Sequence, residues 1–324
     1  SCKRLNRYGI TSCQSDDYET FPGVPYKTVQ KLLRTPGLMT VRVNEQAQFT
    51  NVEALSEYIE SGDAYFEDDM FRAGPLKIIS DGSLGARTAC LSRPYADDEN
   101  ARGIPLYTNA ELNGLISLAN EKGLSVAVHA IGDGAVEMSL NAIENARREM
   151  PHLRPRHGIV HCQITDKEQV ERFKRLDVIA YIQPVFINYD MHIVYDRVGK
   201  ELGSTSYAWA DYIRLGVHAP FGTDCPVEAF RPLPGIYCAV TSRDLNGSGP
   251  FLPQQILDRE TALYCYSAQG AYCTGEEGVK GKIKEGMYAD FIVLDKDLVS
   301  CTDMEILEAK VLRTFVNGKC VYER

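Results

Sequence analysis

Along the chain, short runs of apolar and β-branched residues alternate with longer stretches whose apolar positions recur every three or four residues. The short runs are Gly9 to Ser15, Met39 to Asn44, Leu76 to Ser80, Ser125 to Ala130, His157 to Gln163, Val178 to Gln183 and Val217 to Thr223. Between them, Leu112, Leu115, Leu118 and Ala119 form one helical stripe, and Val136, Leu140, Ile143 and Ala146 form another. Strands that alternate with helices predict an α/β fold with a parallel sheet, either closed into a barrel or doubly wound.

No G-x-G-x-x-G follows the first run, so the fingerprint of the dinucleotide-binding sheet is missing. Instead, Lys77, His129, His161 and Asp224 sit in or at the ends of four different runs. Chemistry gathered from several strand ends is what a (β/α)₈ TIM-like barrel produces. Seven runs are one short of that barrel, which predicts an incomplete one holding strands 2 to 8. Ser1 to Asn6 reads as the end of a helix already under way.

Towards the C-terminus the pattern changes. A helix-like stretch from Glu260 to Cys273 ends near Gly275, and a Gly-rich, turn-like stretch covers Gly278 to Asp290. Phe291 to Leu294 is apolar, and Val311 to Tyr322 alternates around Asn317-Gly318, a strong hairpin signal. The expected division is residues 1–275 as the incomplete barrel and residues 276–324 as a small all-β segment of a composite β-sandwich.

Composition narrows the function classes. With 44% apolar and 24% charged residues the chain is ordinary globular material. A formal net charge of −9 argues against nucleic acid or an anionic membrane as partner. The ten cysteines include no C-x-x-C pair, so Cys13, Cys90, Cys162, Cys225, Cys265 and Cys273 are expected as small buried thiols of a reducing cytoplasm. No signal peptide opens the chain and no apolar run reaches membrane length. The expected partner is a small-molecule substrate; a homo-oligomer is compatible with the sequence but nothing in it marks an interface.

The four polar residues each have a bland reading and a chemical one. His129 closes an apolar run before Gly132-Asp133-Gly134, where an imidazole either satisfies a local carbonyl or binds a metal. His157 and His161 are four apart, and strand periodicity would place both on one side. His161 at the top is then the ligand, and His157 at the bottom is structural. Asp224 either caps the turn before Pro226, or binds a metal and acts as general base. Lys77 lies in an otherwise apolar strand, where an amine is costly to bury unpaired. It either snorkels or becomes a carbamylated bridge between two cations. The loop from Asp81 to Thr88, with Ser83 and Arg87, and Gln183 at the end of the sixth run are the candidate substrate contacts.

These motifs resemble the amidohydrolase superfamily, in the branch that includes N-substituted formamide deformylases. The matching stretches are residues 77–89, 129–135, 156–161, 222–227 and 281–295, and the resemblance covers essentially the whole chain. It implies a divalent metal, zinc first among the candidates, and hydrolysis of a non-peptide C–N bond by a metal-activated water. It implies Lys77 as the bridging residue, His129 and His161 as ligands of the second metal, and Asp224 as ligand and proton carrier. The sequence departs from the pattern in having no His-x-His pair for the first metal, and in Gly158 and Val160 before His161. The expectation is therefore a C-terminal portion, inactive alone, with at most one partly occupied metal site. A non-catalytic ligand-binding or regulatory barrel on the same scaffold is the competing reading. A nicotinamide-dependent reductase is weaker, because Cys225-Pro226-Val227 supplies no phosphate-binding glycines.

Overall fold

The computed structural model describes residues 1–18, 23–49 and 52–324. Six parallel strands form one sheet in chain order: β1 (Ser12–Ser15), β2 (Arg42–Gln48), β3 (Phe71–Ile79), β4 (Val126–Ala130), β5 (Gly158–His161) and β6 (Ile179–Tyr181). The sheet curls into a half-barrel with helices packed on its outside. Among the described residues no strand pairs with the free edge of β1.

Side chains alternate between the two faces of this sheet. Leu76, Ile78, Val126, Val128, Ala130 and Ile159 point outward into the main core. There they meet Leu112, Leu115 and Ile116 of the helix Asn109–Glu121, and Val136, Leu140 and Ile143 of the helix Asp133–Glu149. Burying each such side chain contributes about 1.5–3 kcal/mol, so this outer layer fixes where every strand ends. The inner face is thinner: Ala127, Val160, Ile179 and Tyr181 gather with Cys273 inside the curl. A Thr108–Glu111 capping box opens the helix Asn109–Glu121.

The seventh expected strand is the main correction. Residues 217–223 run beside β6 and make one bridge, Ile182 with Phe221. The amides of Ala180 and Ile182 donate to His218 and Pro220, and Gly222 donates back to Ile182. Pro220 has no N–H to give, so the ladder cannot extend on both sides of it.

The C-terminal sheet is antiparallel, with β7 (Phe291–Leu294), β8 (Val311–Val316) and β9 (Lys319–Glu323) in that order. Asn317 and Gly318 close the β8–β9 hairpin at φ 50° and 72°, the left-handed pair such a turn needs. The segment is not all β, however. A helix, Asp303–Glu308, stands between β7 and β8, started by a capping box from Thr302 to Glu305. Arg42, at the start of β2, reaches this sheet through an ion pair of 2.6 Å with Asp290. Both partners are almost fully buried, and the guanidinium lies over the Tyr288 ring at 3.8 Å. No helix among the described residues is long and apolar enough to cross a membrane.

Candidate metal centre

The upper, C-terminal ends of the strands carry the polar residues. On β3, Leu76 and Ile78 face the outer core, so Lys77 faces inward, nearly buried at 7% exposure. Its Nζ lies 3.4 Å from Asp16 Oδ2. Asp16 follows directly on β1 and was not anticipated, although an Asp16-Asp17 pair directly after a strand is the signal that would have found it. The ion pair offsets the cost of burying the amine.

On β4, His129 also faces inward. Its Nε2 is 3.1 Å from the Gly82 carbonyl and 3.3 Å from Asp81 Oδ1. Asp81 is buried and accepts amides from Cys90, Ile131 and Gly132, which pins the loop after β3 against the end of β4. Asp81 was expected only as part of a loop; its structural role rests on these three bonds, two of them to residues about fifty positions away.

His161 corrects the sequence reading in its geometry. His157, Ile159 and His161 would share one side of a regular strand, but His161 sits at φ 80°. That left-handed turn swings its ring to the inner side. There it meets His129, with ring centroids 4.4 Å apart at 77°, and stacks on Phe186 at 5.8 Å. His157 stays on the outer side, where its Nδ1 accepts from Val126 and its Nε2 faces Asn120 Oδ1 at 3.0 Å. Burial, reinforced by His129 and Lys77, drives the His161 pKa well below the usual imidazole range. Its ring is therefore neutral and able to give a lone pair.

Asp224 is also held left-handed, at φ 55°, after the segment beside β6. Burial raises its carboxyl pKa, Lys77 and His129 pull it down, and Asp16 pushes it up. Lys77, His129, His161 and Asp224 thus share one electrostatic neighbourhood. Two of the four carry backbone strain, which in folded proteins concentrates at functional sites.

The three expected substrate contacts are arranged differently. Arg87 makes a two-pronged pair with Asp97, at 3.0 and 2.8 Å. Asp97 also takes Arg197, and the Arg87 hydrogen bond chiefly lowers its carboxyl pKa. Ser83 is exposed, and its backbone closes the 81–88 loop against Thr88 and Ala89. Gln183 is buried, with Oε1 2.8 Å from His161 Nδ1. Cys225, expected as buried, is exposed in the loop after Asp224, although no cysteine is in a disulfide.

Glu45 is a further surprise. It is fully buried on β2 and accepts the amides of Asp17 and Tyr18, holding the loop that carries Asp16. Burial pushes its carboxyl up to about 9, so it is neutral at pH 7. Alternation along β2 gave no warning, because six of its seven residues are buried whatever side they face.

The donor set fits a divalent cation in part. Each imidazole has one nitrogen tied to the protein and one left over, and Asp224 adds a carboxylate in the same neighbourhood. Among the described residues, no three His, Cys, Asp or Glu side chains close into a complete cage. A cavity of about 360 Å³ lies elsewhere, at the lower strand ends, lined by residues including Asn44, Arg72, Gly74, Ser125, Arg156 and Thr274. None of the candidate residues lines it.

A family model described as "Amidohydrolase family" matches residues 2–322. The chain belongs to the amidohydrolase family. This amidohydrolase chain is 38% identical to the amidohydrolase-family protein YtcJ of Bacillus subtilis, over 98% of its own length and 59% of YtcJ. It is 25% identical to an N-substituted formamide deformylase of Arthrobacter pascens, over 80% of the chain and 47% of that protein. An uncharacterized metal-dependent hydrolase from Pyrococcus horikoshii superposes with a TM-score of 0.82 at 28% identity, covering 93% of this chain and 59% of the other. The amidohydrolase chain thus spans between about half and three fifths of the length of these relatives.

Proposed function

We propose that this amidohydrolase chain carries the second metal site of a hydrolase acting on a carbon–nitrogen bond other than a peptide bond. The observation that supports the reading most is the meeting of the His129 and His161 rings, with centroids 4.4 Å apart, and Lys77 and Asp224 in the same neighbourhood. His129 and His161 would hold the ion, with Asp224 as third ligand, and Lys77 would contribute only after its amine has taken up CO₂ as an anionic carbamate. Zinc is the first candidate. A bound divalent ion would bring the pKa of a water towards neutrality and polarise an amide carbonyl. Asp224, its carboxyl raised by burial, takes a proton from the attacking water and passes it to the leaving nitrogen. The substrate is a small amide or formamide, as the name of the Arthrobacter relative suggests.

The chain contains no His-x-His, and the ligands proposed here, His129, His161 and Asp224, would serve one ion. The proposed capacity is therefore at most one equivalent, without turnover by the chain alone, in a cytoplasmic setting. Elemental analysis after zinc loading and desalting tests it. Up to one equivalent, lost in His129→Asn and His161→Asn but kept in His157→Asn, supports the site. The second reading, a binding barrel without chemistry, gains from the Lys77–Asp16 ion pair, which occupies the amine a carbamate would need. No zinc in the unaltered chain would select it.

A further inference from the structure

We propose that Gln183 is a positioning residue that fixes the tautomer of His161 and so presents its Nε2 lone pair at the barrel mouth. The inference rests on the reading of His161 as a metal ligand, and reassigns Gln183 from substrate contact to support. Gln183 stands just past β6, 8% exposed, with both ends of its amide committed inside the protein. Its Nε2 donates to the Tyr181 carbonyl at 3.3 Å. That contact sets which way the amide points, so its oxygen faces His161 Nδ1 at 2.8 Å.

An amide oxygen only accepts, so Nδ1 must carry the hydrogen. Among the described residues His161 makes no other side-chain hydrogen bond, and Phe186 stacks on the same ring at an interplanar angle of 15°. With the backbone turned at φ 80°, amide, phenyl ring and main chain together leave one orientation and one unprotonated nitrogen. His129 is held the other way, its Nε2 against the Gly82 carbonyl, so the two rings offer different nitrogens. Partners of this kind orient metal-binding imidazoles, and losing one weakens metal affinity about 10–100-fold.

The test reads the tautomer directly. The chain is labelled with ¹⁵N-histidine, kept metal-free, and recorded by two-bond ¹H–¹⁵N correlation, with His161 assigned through His161→Asn. The expected pattern for the unaltered chain is hydrogen on Nδ1. Gln183→Met, which removes the acceptor, should move hydrogen to Nε2, and Gln183→Glu, which keeps one, should not. Zinc titration should then show about 10–100-fold weaker binding in Gln183→Met and recovery in Gln183→Glu. Hydrogen on Nε2 in the unaltered chain overturns the proposal without any variant having to fold. An unchanged tautomer in Gln183→Met overturns it too. If the tautomer moves as expected but the unaltered chain takes no zinc, Gln183 positions His161 and the ligand reading fails instead.

Discussion

His157, just before β5, and His161, at its end, lie four residues apart and have opposite fates. At the lower end, His157 is wholly enclosed between Val126 and Asn120, with both ring nitrogens engaged. At the upper end, His161 turns inward through a left-handed residue to meet His129, with one ring nitrogen engaged and one spare. The same contrast runs across the sheet. Below, Arg42 and Asp290 satisfy each other; above, Lys77 pairs with Asp16 while also acting on the nearby Asp224 carboxyl. The lower end uses polar groups to hold elements together. The upper end holds polar groups ready for something else.

The largest expected effect of breaking this contrast is at Arg42. Arg42→Ala leaves Asp290 buried without its partner and should cost about 3–5 kcal/mol in urea unfolding. A change within 1 kcal/mol would show that β2 and the C-terminal sheet are not joined through this pair.

His157→Leu comes next. It strands the Val126 amide and the Asn120 side chain, at a cost of about 2–4 kcal/mol at pH 7. Burial, with Arg147 beside it, lowers the pKa of His157 to about 3. The unfolded chain therefore takes up a proton near pH 6.5 that the fold refuses. Its contribution to stability is present above pH 6.5 and is lost as pH falls towards 3, by about 2 kcal/mol at pH 5. The gap between the unaltered chain and His157→Leu should narrow by that amount between pH 7 and pH 5, and a constant gap would contradict the buried neutral ring.

Glu45 should respond with the opposite sign. The fold keeps a proton that the unfolded chain releases above pH 4.5, so stability is fully present below 4.5 and declines as pH rises towards about 9. Glu45→Gln removes that loss and should stabilise the chain by about 1–3 kcal/mol at pH 8, with no gain at pH 4. Equal effects at both values would mean the carboxyl is ionised in the fold.

The smallest expected effect is at His161. Asn tolerates the left-handed backbone, so His161→Asn should change stability by no more than about 1 kcal/mol while removing zinc uptake. A loss as large as that of His157→Leu would mean that the upper histidine too is a structural group.

Most of the architecture was legible as pattern. The outer face of each strand must match the helices, so Leu76, Ile78, Val126 and Val128 report it through period two. The Asn317-Gly318 hairpin was legible because its conformation demands those residues. The last barrel strand was overread, since a β-rich run does not announce that Pro220 will interrupt its ladder. At the mouth, residue types gave away Lys77, His129, His161 and Asp224 as neighbours. Their supports were hidden, because Asp16, Asp81 and Glu45 act through contacts between loops far apart in the chain. Nor could alternation show that His161 leaves the side it shares with His157; a single positive φ decides that.

The most direct measurement is zinc K-edge X-ray absorption on the zinc-loaded chain, beside the same spectrum from a His129→Asn/His161→Asn double variant. The expected result is a shell of two imidazoles with oxygen and no sulfur in the unaltered chain, absent in the variant. A shell containing sulfur, from any of the ten cysteines, or a spectrum unchanged by the double substitution, would contradict a metal centre at the barrel mouth.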